Sequence, residues 1–243
     1  YTQEEPDRGA RSYIVSMKGN YLVDSEDWGD TAMTHITTDL SDLNISKRAI
    51  FHFTRGWRAY LDGDAAQLGA VIADMAQERK SAANLVTIEG LPMCNAAGSS
   101  RNQPNQLDID QAHVMALQLE AMLADLQDDS ARADALLRES TELESSISYA
   151  YGPPEIVYPS YELYGQWLLE QNRFEEAAAQ FDYALAKGPL RLRALHGRWQ
   201  AAEALGDMQQ AATNRHQLEA ILHDADEEVR ARFLPNTQLS GNF

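Results

Sequence analysis

The chain of 243 residues carries 37 acidic and 20 basic side chains, a formal net charge of −17, which argues against nucleic acid or an anionic membrane surface as a partner. No apolar run reaches the ~18 residues that a membrane-spanning helix needs, and Cys94, the single cysteine, excludes an internal disulfide, a cysteine-built metal site and a two-cysteine redox motif. A composition rich in Ala, Leu, Gln and Glu, with few breakers, predicts an all-α fold.

Residues 1 to 6 read as a loose entry, followed by a helix from Asp7 to about Val23 with Tyr13, Ile14, Val15, Met17 and Tyr21 as its apolar residues. Gly19 lies inside it, and a mid-helix glycine, costing roughly 1 kcal/mol against alanine, implies a packing reason. Asp27-Trp28-Gly29-Asp30 opens a second helix. A second hairpin starts at Ser46, read as a cap, and runs through Phe51, Phe53, Gly56, Trp57 and Tyr60. It turns at Asp62-Gly63-Asp64 and returns from Ala65 to about Ala83 on Leu68, Val71, Ile72 and Met75. Gly19 and Gly56 stand 37 residues apart, which predicts a repeat in which each glycine lets the two helices of its own hairpin close.

From 85 to 106 the periodicity stops in a stretch rich in turn residues, too long for a plain connector; it either covers a neighbouring surface or joins two stretches of repeats. A third hairpin takes Ile109 to Leu126 and Ala131 to about Ser148. The tract from Tyr149 to Tyr158, with Pro153 and Pro154, reads as a stiff extended link. A fourth hairpin follows over 159–189, with Tyr161, Tyr164, Gly165 and Leu168 on its first helix and Ala177, Phe181 and Ala184 on its second, closed by Gly188 and Pro189. The fifth runs from Leu190 to about Asp224, with Trp199 where a small residue belongs and Arg215 where Phe181 would stand, so a capping hairpin with one face open to water is expected. A short helix, Glu227 to Phe233, and a loose tail complete the chain.

The pattern Tyr161, Tyr164-Gly165, Leu168, Ala177, Phe181, Ala184 and Pro189 resembles the tetratricopeptide repeat, a helical hairpin of about 34 residues. The resemblance is closest over 158–189, extends to 45–84 and 107–225, and is degenerate over 7–44. It implies an all-α, right-handed superhelical solenoid of about five hairpins with one inserted loop. Its parts are degenerate hairpins over 1–84, the insertion at 85–106, further hairpins over 107–225, and a cap and tail over 226–243. The tract from Tyr151 to Gly165 also looks like the carboxy-terminal part of larger bacterial proteins of this kind, which often carry an export signal. A chain that opens on Tyr1 without methionine is expected of a processed exported protein or of a fragment, so the compartment stays open between the cytoplasm and the periplasm or exterior of a bacterium.

Catalytic signatures are missing: the sequence has no phosphate-cradling glycine loop, no paired-histidine zinc helix, no calcium loop and no serine elbow. His216, Glu219 and His223 share a helical face, but ordinary exposed side chains explain them better than a metal site does. Asn44-Ile45-Ser46 fits a glycosylation acceptor, with a capping turn the better explanation. The chain is therefore expected to be no enzyme and to hold no cofactor or metal.

In this family the first helix of each hairpin lines the concave surface. The resemblance thus implies a groove of Tyr13 and Asn20, then Phe53, Trp57 and Tyr60, then Met115 and Met122, then Glu162 and Gln166, then His196 and Gln200. The aromatic stripe at spacings of four and three suits a partner's apolar residue or helix, and the methionines add an adaptable surface. The alternative is that the insertion or a missing amino-terminal repeat covers the stripe. The expected function is a protein-interaction or scaffolding module, its partner a protein or peptide, a larger parent chain or a second copy. A small-molecule or glycan binder using Trp57 and Tyr60 is the competing reading; a closed pocket beside Trp57 would favour it.

Overall fold

The computed structural model describes residues 8–29, 39–87, 104–147 and 155–234, which form helices and contain no strand. The chain divides into two compact units, Tyr1–Ser160 and Tyr161–Phe243. The first holds α1 (Arg8–Ser25), α2 (Ile45–Leu61), α3 (Ala65–Thr87), α4 (Gln106–Leu126) and α5 (Ser130–Ser146). The second holds α6 (Ser160–Glu170), whose first residue closes the first unit, α7 (Phe174–Lys187), α8 (Leu192–Leu205), α9 (Met208–Ile221) and α10 (Glu227–Phe233). The helix expected after Trp28, most of the 85–106 insertion with Cys94, the start of the 149–158 link and the tail lie outside the described residues.

Four inter-helix turns share one construction. Gly63, Asp128, Asn172 and Gly206 each adopt a left-handed conformation, φ between 58° and 74°, two positions before the second helix of a hairpin. The next residue then donates its amide hydrogen back across the turn. Asp64 reaches the Ala59 carbonyl at 2.8 Å, and Asp129, Arg173 and Asp207 reach those of Ala124, Leu168 and Ala202 at 2.9 Å. This is the six-to-one bond that closes a helix on a left-handed residue. The same residue starts the return helix: Asp64, Asp129 and Asp207 accept the amide hydrogens of Gln67, Arg132 and Gln210, while Arg173 makes no such cap.

Two helix starts differ from expectation. Asn44, not Ser46, caps α2, its side chain accepting the Ser46 amide hydrogen at 3.3 Å while its own amide donates to Asp108. The Asn44 side chain is thus committed to capping. Asn105 and Asp108 form a reciprocal capping box, so α4 begins at Gln106, three residues before the periodicity suggests.

The glycines admit neighbours, but not always those expected. A Cβ on Gly165 would strike Phe181 of the same hairpin, as the pattern requires. A Cβ on Gly19 would overlap Ile50 of α2, and one on Gly56 would lie 2.6 Å from Leu119 of α4. These two glycines therefore bring successive first helices together, and Gly56 does not close its own hairpin. Leu119 is fully buried and has no room to swing aside. Gly56→Ala is expected to cost about 1–3 kcal/mol, the usual range for overpacking, read as a lower urea midpoint at unchanged slope. A loss under about 0.5 kcal/mol, the scatter of neutral substitutions, would mean that α2 and α4 separate freely.

In the fifth hairpin the small residue is Gly197, which faces Phe181, and Trp199 is buried. The Arg215 guanidinium lies 5.7 Å from the Trp199 ring centre, so a cation over an aromatic face replaces the glycine-phenylalanine pair. Trp199 shares a core with Leu195, Ala202, Ala211 and Leu218.

Candidate functional site: the face of the first helices

In the first unit α1 packs on α2 and α2 on α4, while α3 contacts both α2 and α4 and α5 returns along α4. The first helices are thus consecutive neighbours, and residues 155–159 run across all three. Val157 lies against the bare Cα of Gly19 on α1. Glu155 accepts from the Lys47 ammonium of α2 at 2.6 Å, and the same ammonium donates to Ser16 of α1 at 2.8 Å. The Tyr158 ring sits 5.2 Å from that of Trp57 on α2.

From α4, the fully buried Gln118 amide donates to the Tyr158 carbonyl at 2.8 Å and to the Ser160 hydroxyl at 3.0 Å. The Ser160 amide hydrogen goes to Glu144 of α5 at 2.7 Å. Val157 and Tyr158 are buried. The segment, a run of bends over 155–158 where a stiff extended link was expected, is held as a bound peptide is held, with a side-chain amide on its backbone, an ion pair on one residue and a ring contact on another.

That segment determines where the expected groove residues lie. Phe53, Trp57 and Tyr60 do form a contiguous stripe: Phe53 and Trp57 stack with ring centres 5.6 Å apart, and Trp57 and Tyr60 follow at 5.5 Å. Its outer end is partly covered, with the Tyr158 ring against Trp57 and the Tyr60 hydroxyl donating to Asp125 of α4 at 3.0 Å, and both Trp57 and Tyr60 stay half-buried.

Phe53, Met115, Met122 and Glu162 are core side chains with 2% of their surface exposed or less, and offer nothing to a partner. The two methionines are buried because α4 is covered on nearly every side. Glu162 instead accepts from the Arg191 guanidinium within the second unit. His196 packs between the rings of Trp199 and Phe233, at 5.6 and 5.3 Å. Asn20 and Gln166 bond locally, to Ser16 and Glu170. Tyr13, 67% exposed, and Gln200 are open to solvent. Lys47, Gln118, Glu155 and Tyr158 were not foreseen as a set; the one local signal is Gln118, a polar side chain amid an apolar run, which must find a partner.

A buried polar cluster was also not foreseen. His52 and Arg48 of α2 approach Glu78 of α3 at 3.2 and 3.5 Å. Burial pushes the Glu78 carboxyl up, but the close approach and charge of His52 and the charge of Arg48 more than offset it, and its pKa ends lowered. Nearby, burial and the Arg79 charge lower the His113 pKa, and burial raises that of Glu120 against Arg79 and Arg132. None of these groups lines the cleft of about 270 Å³ found between α1, α2 and the α2–α3 turn, and neither do Trp57 and Tyr60. Among the described residues no group of three potential ligands could hold a metal, and Glu219 is engaged with Arg215. No helix among them is long and apolar enough to cross a membrane.

Compared with family models, with curated proteins and with solved structures, the chain matches none.

Proposed function

We propose that the chain is a tetratricopeptide-type array of helical hairpins, and that it works as a non-catalytic interaction module taking a non-helical peptide segment on the face of its first helices. The repeat reading is supported by the four like turns and by the Gly165, Phe181 and Gly197 contact. The binding reading rests on one observation: this face already holds a bent, non-helical segment of the chain itself, through Lys47, Trp57 and Gln118.

The test replaces residues 155–159 by a glycine-serine stretch of equal length and offers a labelled peptide with the sequence of 155–160 in trans. The replaced chain is expected to bind it, and Gln118→Ala in that background to weaken binding roughly tenfold, as loss of a buried hydrogen bond does. The unaltered chain binds far less, because its tethered segment competes at an effective concentration in the millimolar range. A replaced chain that stays helical and ignores the peptide would sink the reading.

A further inference from the structure

The face of the first helices touches residues 155–158 at four points, and three of them select a side chain. At the first, the Lys47 ammonium, its side chain 18% exposed, sits between the Glu155 carboxylate at 2.6 Å and the Ser16 hydroxyl at 2.8 Å. An occupant with a neutral residue here would leave that ammonium on a hydroxyl alone, and removing one partner of a largely buried ion pair is strongly unfavourable. The position therefore demands a carboxylate. At the second, the bare Cα of Gly19 forms a notch: a Cβ there would stand 3.3 Å from Cγ1 of Val157 and would overlap Ile50. Val157 is buried in it, so a branched side chain fits and a ring does not.

At the third, the Tyr158 ring lies 5.2 Å from that of Trp57, which stacks in turn on Phe53. Such a contact favours an aromatic residue over an aliphatic one. At the fourth, the Gln118 amide donates to the Tyr158 carbonyl, which fixes register whatever the side chain. The segment fills the face without saturating it. Gln118 Oε1 and Glu155 Oε2 are buried and accept no hydrogen bond among the described residues, a desolvation cost that a better-paired occupant avoids.

We infer, on the reading that this face takes a polypeptide, that its partner is a segment of another protein with an acidic residue, a β-branched residue two positions on and an aromatic residue directly after it. Residues 155–158 hold the place of that segment and compete with it.

The test offers the full-length chain with 155–159 replaced, checked for helicity, the labelled 155–160 peptide and its Glu155→Gln, Val157→Phe and Tyr158→Ala forms. Each substituted peptide is expected to bind roughly tenfold weaker, through the unpaired charge, the overfilled notch and the lost ring respectively. Lys47→Met in the chain is expected to erase the difference between the first two peptides and to keep the effect of Tyr158→Ala, a pattern that misfolding cannot produce. In the otherwise unaltered chain, Glu155→Gln is expected to raise affinity for the unsubstituted peptide roughly tenfold by weakening the tethered competitor. That arm remains decisive if the replaced chain loses its helices. Equal binding of all four peptides would overturn the inference and leave the reading of the face standing, whereas no binding to a helical chain would overturn both. Unchanged affinity in Glu155→Gln, or a dimer of the unaltered chain that Glu155→Gln abolishes, would also overturn it, the latter by assigning the face to a second copy.

Discussion

Phe181→Ala is expected to destabilise the second unit by about 3–5 kcal/mol, the range for removing a buried phenylalanine. Phe181 is 1% exposed, and its ring fills the space left by two missing side chains: Cβ atoms on Gly165 of α6 and on Gly197 of α8 would both collide with it. A ring wedged between two bare backbones leaves a cavity that the helices close only by shifting together. Urea unfolding followed by Trp167 and Trp199 fluorescence reads this loss. Converse variants probe the same contact from the other side. Gly197→Ala is expected to cost about 1–3 kcal/mol as overpacking, and Phe181→Leu in that background to recover part of it, because contacting sites are not additive. A cost below about 1 kcal/mol for Phe181→Ala, the size of an average substitution, would mean that the wedge is not what spaces these helices.

The second large effect is a loss of stability with falling pH that traces to one histidine. Burial, helped by the Arg232 charge, lowers the pKa of His196 to about 4, against about 6.5 in an unfolded chain. The unfolded state therefore binds the extra proton first as pH falls. Stability from neutral His196 is whole above pH 6.5 and is lost progressively between 6.5 and about 4, by an amount on the order of 3 kcal/mol. Carboxylates titrate in the lower part of the same window, so the informative quantity is the difference between the wild type and His196→Gln. That difference is expected to shrink steadily from pH 7 to pH 4.5. A difference that stays constant over this range would show that His196 is solvated when charged and carries no such linkage.

The elements were legible because their punctuation is chemical and local. Gly63, Asn172 and Gly206 are residues that tolerate a left-handed turn, and Asp64, Asp129 and Asp207 are caps, so the hairpins followed from single positions. The candidate site was not legible, for two physical reasons. Glycine records that something comes close but not what, and at Gly19 and Gly56 the neighbour is the next first helix, which shifts the phase of the inferred groove. The segment at 155–159 has no periodicity, and its partners Lys47 and Gln118 lie 108 and 40 residues away along the chain. No local pattern predicts such pairings. Met115 and Met122 illustrate the remaining error: α4 is apolar around most of its circumference, the mark of a central helix and not of a surface one.

The Lys47–Glu155 and Gln118–Tyr158 contacts also bear on how the first unit is made. Hairpins that touch only their neighbours fold in any order and unfold piecemeal. Here α1 and α2 lack one wall until residues some hundred positions later arrive, so their completion waits on synthesis of the chain through Ser160. The loop that must close is long and its entropy is spent late. Unit one is therefore expected to behave as a single cooperative block: a chain truncated before Glu155 should show early amide exchange in α1 and α2, whereas the complete one protects them together with α4.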